Sequence, residues 1–321
     1  MLILNAVSRS ICVPGFAVVL KTRMLLCGIM LGLLICSSGC HESVVRPSTA
    51  AQLNAPSGFD LAAAMTTLFG NFDPATQTSI SDVPQTMGFN LSGSLFEVGD
   101  EIKIRPFWLS PVVEAGTSKM VLLTYAVPLN LQPLLQGEEP FTCHACAPLI
   151  GAAVFTMTGG KWEHESFAVV VARAGAWGQP PKSIRVINIG PQRIGIEITD
   201  TGTGQGETTM AKRLFVPWAG KVNEALMTIV SDDNKGNCGT DLPPCYANRK
   251  RLEFVAGKNA DYYDIIMTLS GTDMADSRQY GVKRVHGVER FKFTEEKYKR
   301  IFRTGDVTSV ERFIANRGSG S

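Results

Sequence analysis

A chain of 321 residues, 45% hydrophobic and 19% charged, has the composition of a globular protein and the length for one large domain or two smaller ones. That excludes a wholly disordered chain, and a formal net charge of +2 is too small to point to nucleic acid. The charge is unevenly spread: acidic residues outnumber Arg46, Lys103, Arg105 and Lys119 between His41 and Pro140, whereas Arg249, Lys250, Arg251, Lys297, Lys299, Arg300 and Arg303 make the C-terminal part basic. A solvated basic face is the expected result.

Near the N-terminus, Lys21 and Arg23 precede an apolar run, Met24 to Ile35, which stops at Ser37, Ser38, Gly39 and Cys40. A stable membrane-crossing helix needs about 20 apolar residues, so the run is too short for an anchor and has the order of an export signal. The residues Ser38, Gly39 and Cys40 resemble the box of bacterial lipoprotein signals, with Ser37 standing where that pattern prefers leucine. The resemblance covers the signal alone. It implies residues 1–39 as signal peptide, Cys40 as the lipid-modified first residue, and attachment to a membrane through that lipid. Cleavage without lipidation is the alternative. Several acyl chains, at about 0.8 kcal/mol per buried methylene, would hold the protein stably. His41 stands where aspartate is associated with inner-membrane retention, so the resemblance implies the outer membrane, facing the periplasm.

Residues 40–58 are rich in Ser, Pro and Ala without periodicity and read as a flexible tether to a β-rich globular domain over 59–304, with 305–321 as a tail. A short helix is predicted from near Phe59, capped by Ser57, with Asp60 in its first turn, Leu61, Met65, Leu68 and Phe69 on one face and Gly70 ending it. From Glu101 onward the period is that of strands. Ile194, Ile196 and Ile198 alternate with Gly195, Glu197 and Thr199, while Tyr263, Ile265, Met267 and Leu269 share a face, as do Phe291 and Phe293. Turns are marked at Gly159-Gly160, Gly190-Pro191, Ala219-Gly220, Gly257-Lys258-Asn259 and Glu295-Glu296. The expected fold is mainly β: an antiparallel meander of hairpins, open and propeller-like or a sandwich, its strands solvated on one side. Lys161, Lys221 and Lys297 each follow a hairpin turn and divide the chain into three possible four-stranded units, 101–175, 183–232 and 248–304. Good hairpin chemistry alone accounts for the same pattern.

Outside the signal region and Cys40, four cysteines remain: Cys143, Cys146, Cys238 and Cys245. An even number in an exported domain points to disulfides, with the local pairs favoured over pairing across the sequence. Cys143-His144-Ala145-Cys146 has the spacing of a redox pair, but Ala147 to Ile150 leads into a strand, whereas low thiol pKa values belong to helix N-termini. The step from Cys238 to Cys245 is too long for the usual zinc spacing. Asp232-Asp233-Asn234-Lys235-Gly236-Asn237 lacks ligands of a calcium loop. The glycine-rich stretch Gly202 to Gly206 has no helix behind it and reads as a hairpin tip. His164 and His286 fall in strands without a paired motif, and no nucleophile elbow or zinc helix is present. No catalytic residue, metal or cofactor is therefore assigned.

Trp177 lies in a Gly- and Pro-rich loop, Gly175 to Pro181, and is the candidate interaction residue, set against the commoner use of such a ring in core packing. The expected function is binding to a protein partner in the cell envelope without catalysis. An inhibitor or immunity protein against a toxic periplasmic enzyme is the alternative within that class. An envelope hydrolase whose carboxylates meet only in the folded chain is the alternative outside it.

Overall fold

The computed structural model describes residues 58–85, 96–130, 141, 143–257, 260–275 and 281–305. The chain enters through one helix, α1 (Leu61–Phe69), and a short strand, β1 (Ser79–Asp82). Four long strands come after it, β2 (Glu101–Glu114), β3 (Thr117–Pro128), β4 (Leu149–Thr158) and β5 (Lys161–Arg173). Next come β6 (Ser183–Gly190), β7 (Arg193–Gly204), β8 (Glu207–Trp218) and β9 (Lys221–Asp233), then β10 (Ala247–Val255), β11 (Asp264–Met274), β12 (Val282–Thr294) and β13 (Lys297–Gly305). The fold is mainly β, as its alternation predicts, and every strand pairs antiparallel with its sequence neighbour inside one of two sheets. Strands β1 to β5 form a five-stranded sheet and β6 to β13 an eight-stranded one curled as a half-barrel.

The helix differs from expectation at its start. Asp60 is the N-cap, its Oδ1 accepting from the Ala63 backbone N–H at 3.0 Å, so the cap lies three residues beyond Ser57. A carboxylate there also suits the positive end of the helix. Phe59, just before the cap, is buried edge-on against Phe155 and Trp162, and this fixes where the chain can begin to coil. Gly70 ends the helix at φ 73°, the left-handed conformation that glycine adopts without a Cβ penalty. The strand β1 precedes the point where strand periodicity becomes visible. Four residues are too few to show a period, and its pairing with β2 over Ser79–Ile104 to Asp82–Glu101 defines it.

Two strands correct the expectation of one solvated side. Along β3, Met120 and Leu122 face one apolar cluster, with α1, Phe96 and Phe141, while Val121 and Leu123 face another. In β4, Leu149, Ala153 and Phe155 join the first cluster, and Ile150, Ala152 and Val154 the second. Near-continuous apolar runs are what a strand covered on both faces requires. At about 1.5–3 kcal/mol for each large aliphatic or aromatic side chain, these two strands supply much of the driving force for folding. The second cluster also takes Ile194, Ile196 and Ile198 of β7, Phe215 of β8 and Val222 of β9, so it is the interior shared by the two sheets. A third cluster, with Ile189, Leu214, Val216, Ile265, Met267 and Tyr298, fills the inside of the curl.

Glu197, read as the polar side of β7, is only 5% exposed. Arg185 Nε and Lys212 Nζ reach its Oε1 at 2.8 and 2.9 Å. Burial opposes its charge, but the two cations outweigh burial and hold the carboxyl below its usual range.

The join between β9 and β10 is narrow. They pair only at Asp233–Ala247, Asp232–Asn248 and Ser231–Arg249, although β9 pairs with β8 along nearly its whole length. Beside this gap, the Phe167 N–H of β5 donates to the Gly220 carbonyl at the start of β9, at 3.2 Å. The edge of the first sheet thus runs against the strand at which the second one opens.

Candidate functional site

Between β5 and β6 the chain makes a two-residue reversal, with Ala176 and Gln179 exchanging backbone hydrogen bonds of 3.2 and 2.9 Å and Trp177-Gly178 at the tip. Both tip residues have positive φ, 56° and 68°, as the twist of a tight hairpin demands. The same geometry recurs at Ala115-Gly116, Gln205-Gly206 and Ala219-Gly220, where the first residue is small or flexible. A bulky tryptophan in that conformation is an outlier. Core packing, the commoner use of such a ring, does not account for it either, because Trp177 is 54% exposed.

The loop is held from beneath. Cys143 and Cys146 form a disulfide, as do Cys238 and Cys245, so both cysteine pairs are local. The Trp177 N–H donates to the Cys143 carbonyl at 3.2 Å and the Gly178 N–H to the Cys146 carbonyl at 2.7 Å. Behind them the Gly175 N–H donates to Asp200 Oδ2 of β7 at 3.1 Å. The exposed imidazole of His144 meets the indole edge-on at 5.5 Å. His144 lies in a turn, and Pro148 and Leu149 lead from the disulfide into β4. Among the described residues no helix N-terminus stands behind the cysteines to favour a thiolate. The arrangement presents a fixed, amphipathic aromatic surface, apolar over its face and able to donate a hydrogen bond, which is the chemistry of an interface anchor.

A second site escapes sequence reading. A cleft of about 350 Å³ opens where the β2–β3 hairpin meets the β6–β7 turn, lined by Glu114, Lys119, Thr156, Glu165, Arg193 and Asp261 among others. The Lys119 ammonium bridges two carboxylates, Glu114 and Glu165, the latter at 2.7 Å. Glu114 Oε1 also accepts from the Ile194 N–H of β7 at 2.8 Å, and Glu165 Oε2 accepts from the Thr156 hydroxyl. Burial works against the lysine's charge, but the hydrogen bonds and proximity of the two glutamates outweigh it, raising its pKa above the ordinary value. All four carboxylate oxygens are taken by donors, so the group ties β2, β3, β4, β5 and β7 together. Glu165 gets there through a bulge: Val154 pairs with Ser166 and Phe155 with His164, leaving Glu165 as the extra residue. Glu114 and Glu165 lie 5 and 46 residues from Lys119, so no spacing announces the cluster. The one visible signal is Lys119 standing directly before the apolar run Met120 to Leu123.

The other singled-out residues are dispersed. His164 contacts the rings of Phe155 and Phe167, and His286 is exposed on β12. Gln205-Gly206 forms the tip of the β7–β8 hairpin, with the Gly206 carbonyl accepting from Gly236 N–H at 2.9 Å. Asp232 accepts from the Thr209 hydroxyl at 3.2 Å. Trp162 packs in the first core, and Trp218 stands edge-on to Tyr262 and Phe293. Cys40 and the rest of the export signal, together with the tether and Ser57, lie outside the described residues. Among the described residues no helix is long and apolar enough to cross a membrane. No family model, curated protein or solved structure matches the chain.

Proposed function

We propose that the chain is an exported, lipid-anchored envelope protein facing the periplasm, and that it acts by binding a protein partner around Trp177 rather than by catalysis. The observation that carries the reading is a tryptophan held 54% exposed in a left-handed backbone conformation over a disulfide-closed turn. Neither the exposure nor the conformation helps the chain fold, whereas a rigid ring costs little entropy when a partner covers it. The signal residues Lys21 to Cys40 support the compartment.

The test is Trp177→Ala. Because the ring is half in water, folding stability should change by less than about 1 kcal/mol. Affinity for the partner captured from periplasmic extract should fall by about 2 kcal/mol or more. Unchanged capture by a correctly folded variant would count against the site. Mass spectrometry of the mature protein should find lipid on Cys40, and a soluble, unmodified N-terminus would reject the anchor.

A further inference from the structure

The outer surface of β10 to β13 is a basic sheet face that neither the fold nor the Trp177 reading accounts for. Antiparallel pairing sets Arg249 opposite Ser270, Ser270 opposite His286, Thr272 opposite Arg284, and Lys292 opposite Lys299, while Lys297 faces Thr294. These residues alternate with the ones that face the inside of the curl, where Ile265, Met267 and Tyr298 are buried. Their side of the sheet is therefore the convex one. The inner charges are satisfied separately, Glu289 pairing with Lys250 at 3.8 Å and with Arg300 at 2.9 Å. On the outer side Glu253 is engaged by Arg251 at 2.8 Å, Asp264 by Arg290 at 2.6 Å, and Glu295 of the hairpin turn by Lys299 at 3.1 Å. Arg249, Arg284, Lys292 and Lys297 add to these and outnumber the carboxylate of Glu296 beside them, so the face carries a net positive charge.

Lysines on an edge strand are a common guard against unwanted strand pairing. That explanation stops at β13, because Arg249, Arg284 and Lys292 lie on β10 and β12, which have a strand on each side. It also leaves two apolar side chains unexplained. Where Phe291 pairs with Arg300 and Arg290 with Phe302, Ile301 is the extra residue of a bulge. Ile301 is 56% exposed and Phe302 54%, at the margin of the basic face.

We propose that this face docks on the surface of an anionic phospholipid bilayer, its lysines and arginines over the headgroups and Phe302 with Ile301 entering the interfacial region. A convex surface that combines several cations with an exposed aromatic and aliphatic pair fits a charged planar interface. The docking does not rest on the Trp177 reading, and Trp177 is not part of it.

The full chain is tested by co-sedimentation with phosphatidylcholine vesicles and with vesicles that also contain phosphatidylglycerol. Binding should favour the anionic vesicles and weaken as salt rises. Lys21 and Arg23 beside the N-terminal apolar run also favour anionic vesicles, so the loss of binding on substituting the sheet cations, rather than the preference itself, isolates the sheet face. Each cation near such a surface is worth about fivefold in binding, so Lys292→Gln, Lys297→Gln and Lys299→Gln together should reduce anionic-vesicle binding about a hundredfold. The pair Arg249→Gln and Arg284→Gln, away from the edge strand, should reduce it about 25-fold. Phe302→Ala should weaken binding by a factor that salt does not change. Circular dichroism verifies folding, and Lys292→Gln alone, at an exposed position and expected to lose about fivefold, decides the matter should a multiple variant fail to fold. Equal binding to neutral and anionic vesicles overturns the proposal, as does unchanged binding by folded glutamine variants. Binding of duplex DNA through these residues, without a preference among vesicles, overturns it in favour of a nucleic acid.

Discussion

Lys119 begins the apolar run of β3, where an unpaired ammonium would be costly. Glu114 and Glu165 make the position tolerable, and removing the lysine leaves two carboxylates facing each other across the gap. Lys119→Met should therefore destabilise the protein by about 3 kcal/mol, at the lower end for breaking a buried ion pair because the cleft admits water. Urea unfolding at neutral pH measures this. The same group predicts an alkaline effect. Its folded pKa is raised above the ordinary 10.5, so its contribution is complete below that value and is lost as pH rises through the folded pKa. In the Lys119→Met variant that part of the alkaline decline in stability should be absent. A variant as stable as the parent, with an unchanged alkaline limb, would show that the bridge adds nothing.

The Trp177 reversal shows how a short element is stabilised from outside itself. Alone it is a two-residue hairpin with one pair of backbone bonds, and such a unit is marginal in water. The disulfide turn supplies two further acceptors, the Cys143 and Cys146 carbonyls. Gly178 must stay small as well as left-handed, because a Cβ there would sit 2.4 Å from the Phe141 carbonyl oxygen. Gly178→Ala should cost about 2 kcal/mol, combining backbone strain with displacement of the loop, and should lower partner capture along with stability. Reduction of Cys143–Cys146 should speed hydrogen exchange at the Trp177 and Gly178 amides. Exchange that is indifferent to reduction, or a Gly178→Ala protein of parental stability, would mean that the loop is not fixed by the turn beneath it.

For the whole domain, the decisive feature is that one apolar cluster belongs to both sheets. Val121 and Val154 from the first meet Ile196 and Phe215 from the second, all fully buried. Neither sheet can keep that interior dry without the other. Ile196→Ala should cost about 3 kcal/mol, within the range for deleting a large buried aliphatic side chain. Far- and near-ultraviolet circular dichroism should still lose their signals at one midpoint. Two separated transitions would show that the sheets unfold independently. The narrow join of β9 and β10 makes this a stringent test, because strand pairing between them is limited to three residue pairs and the two halves of the eight-stranded sheet are otherwise held by packing inside the curl.

What the sequence determined by itself is short in range. The period of two in β7, β11 and β12, the turn residues at 159–160, 219–220 and 295–296, and the helix stop at Gly70 are decided by neighbours a few residues apart. They made the antiparallel β class legible, and the nearness of Cys143 to Cys146 and of Cys238 to Cys245 made the local pairing the favoured one. Tertiary structure decided what depends on distant segments. It covered both faces of β3 and β4, drew Glu197 into the interior beside Arg185 and Lys212, moved the helix cap to Asp60 by burying Phe59, and left Trp177 in water. It also joined Glu114 to Ile194 across 80 residues and Lys119 to Glu165 across 46. The physical reason is that a turn or a period is set by local backbone geometry, whereas burial and ion pairing depend on which surfaces the two sheets present to each other, and no local pattern specifies that.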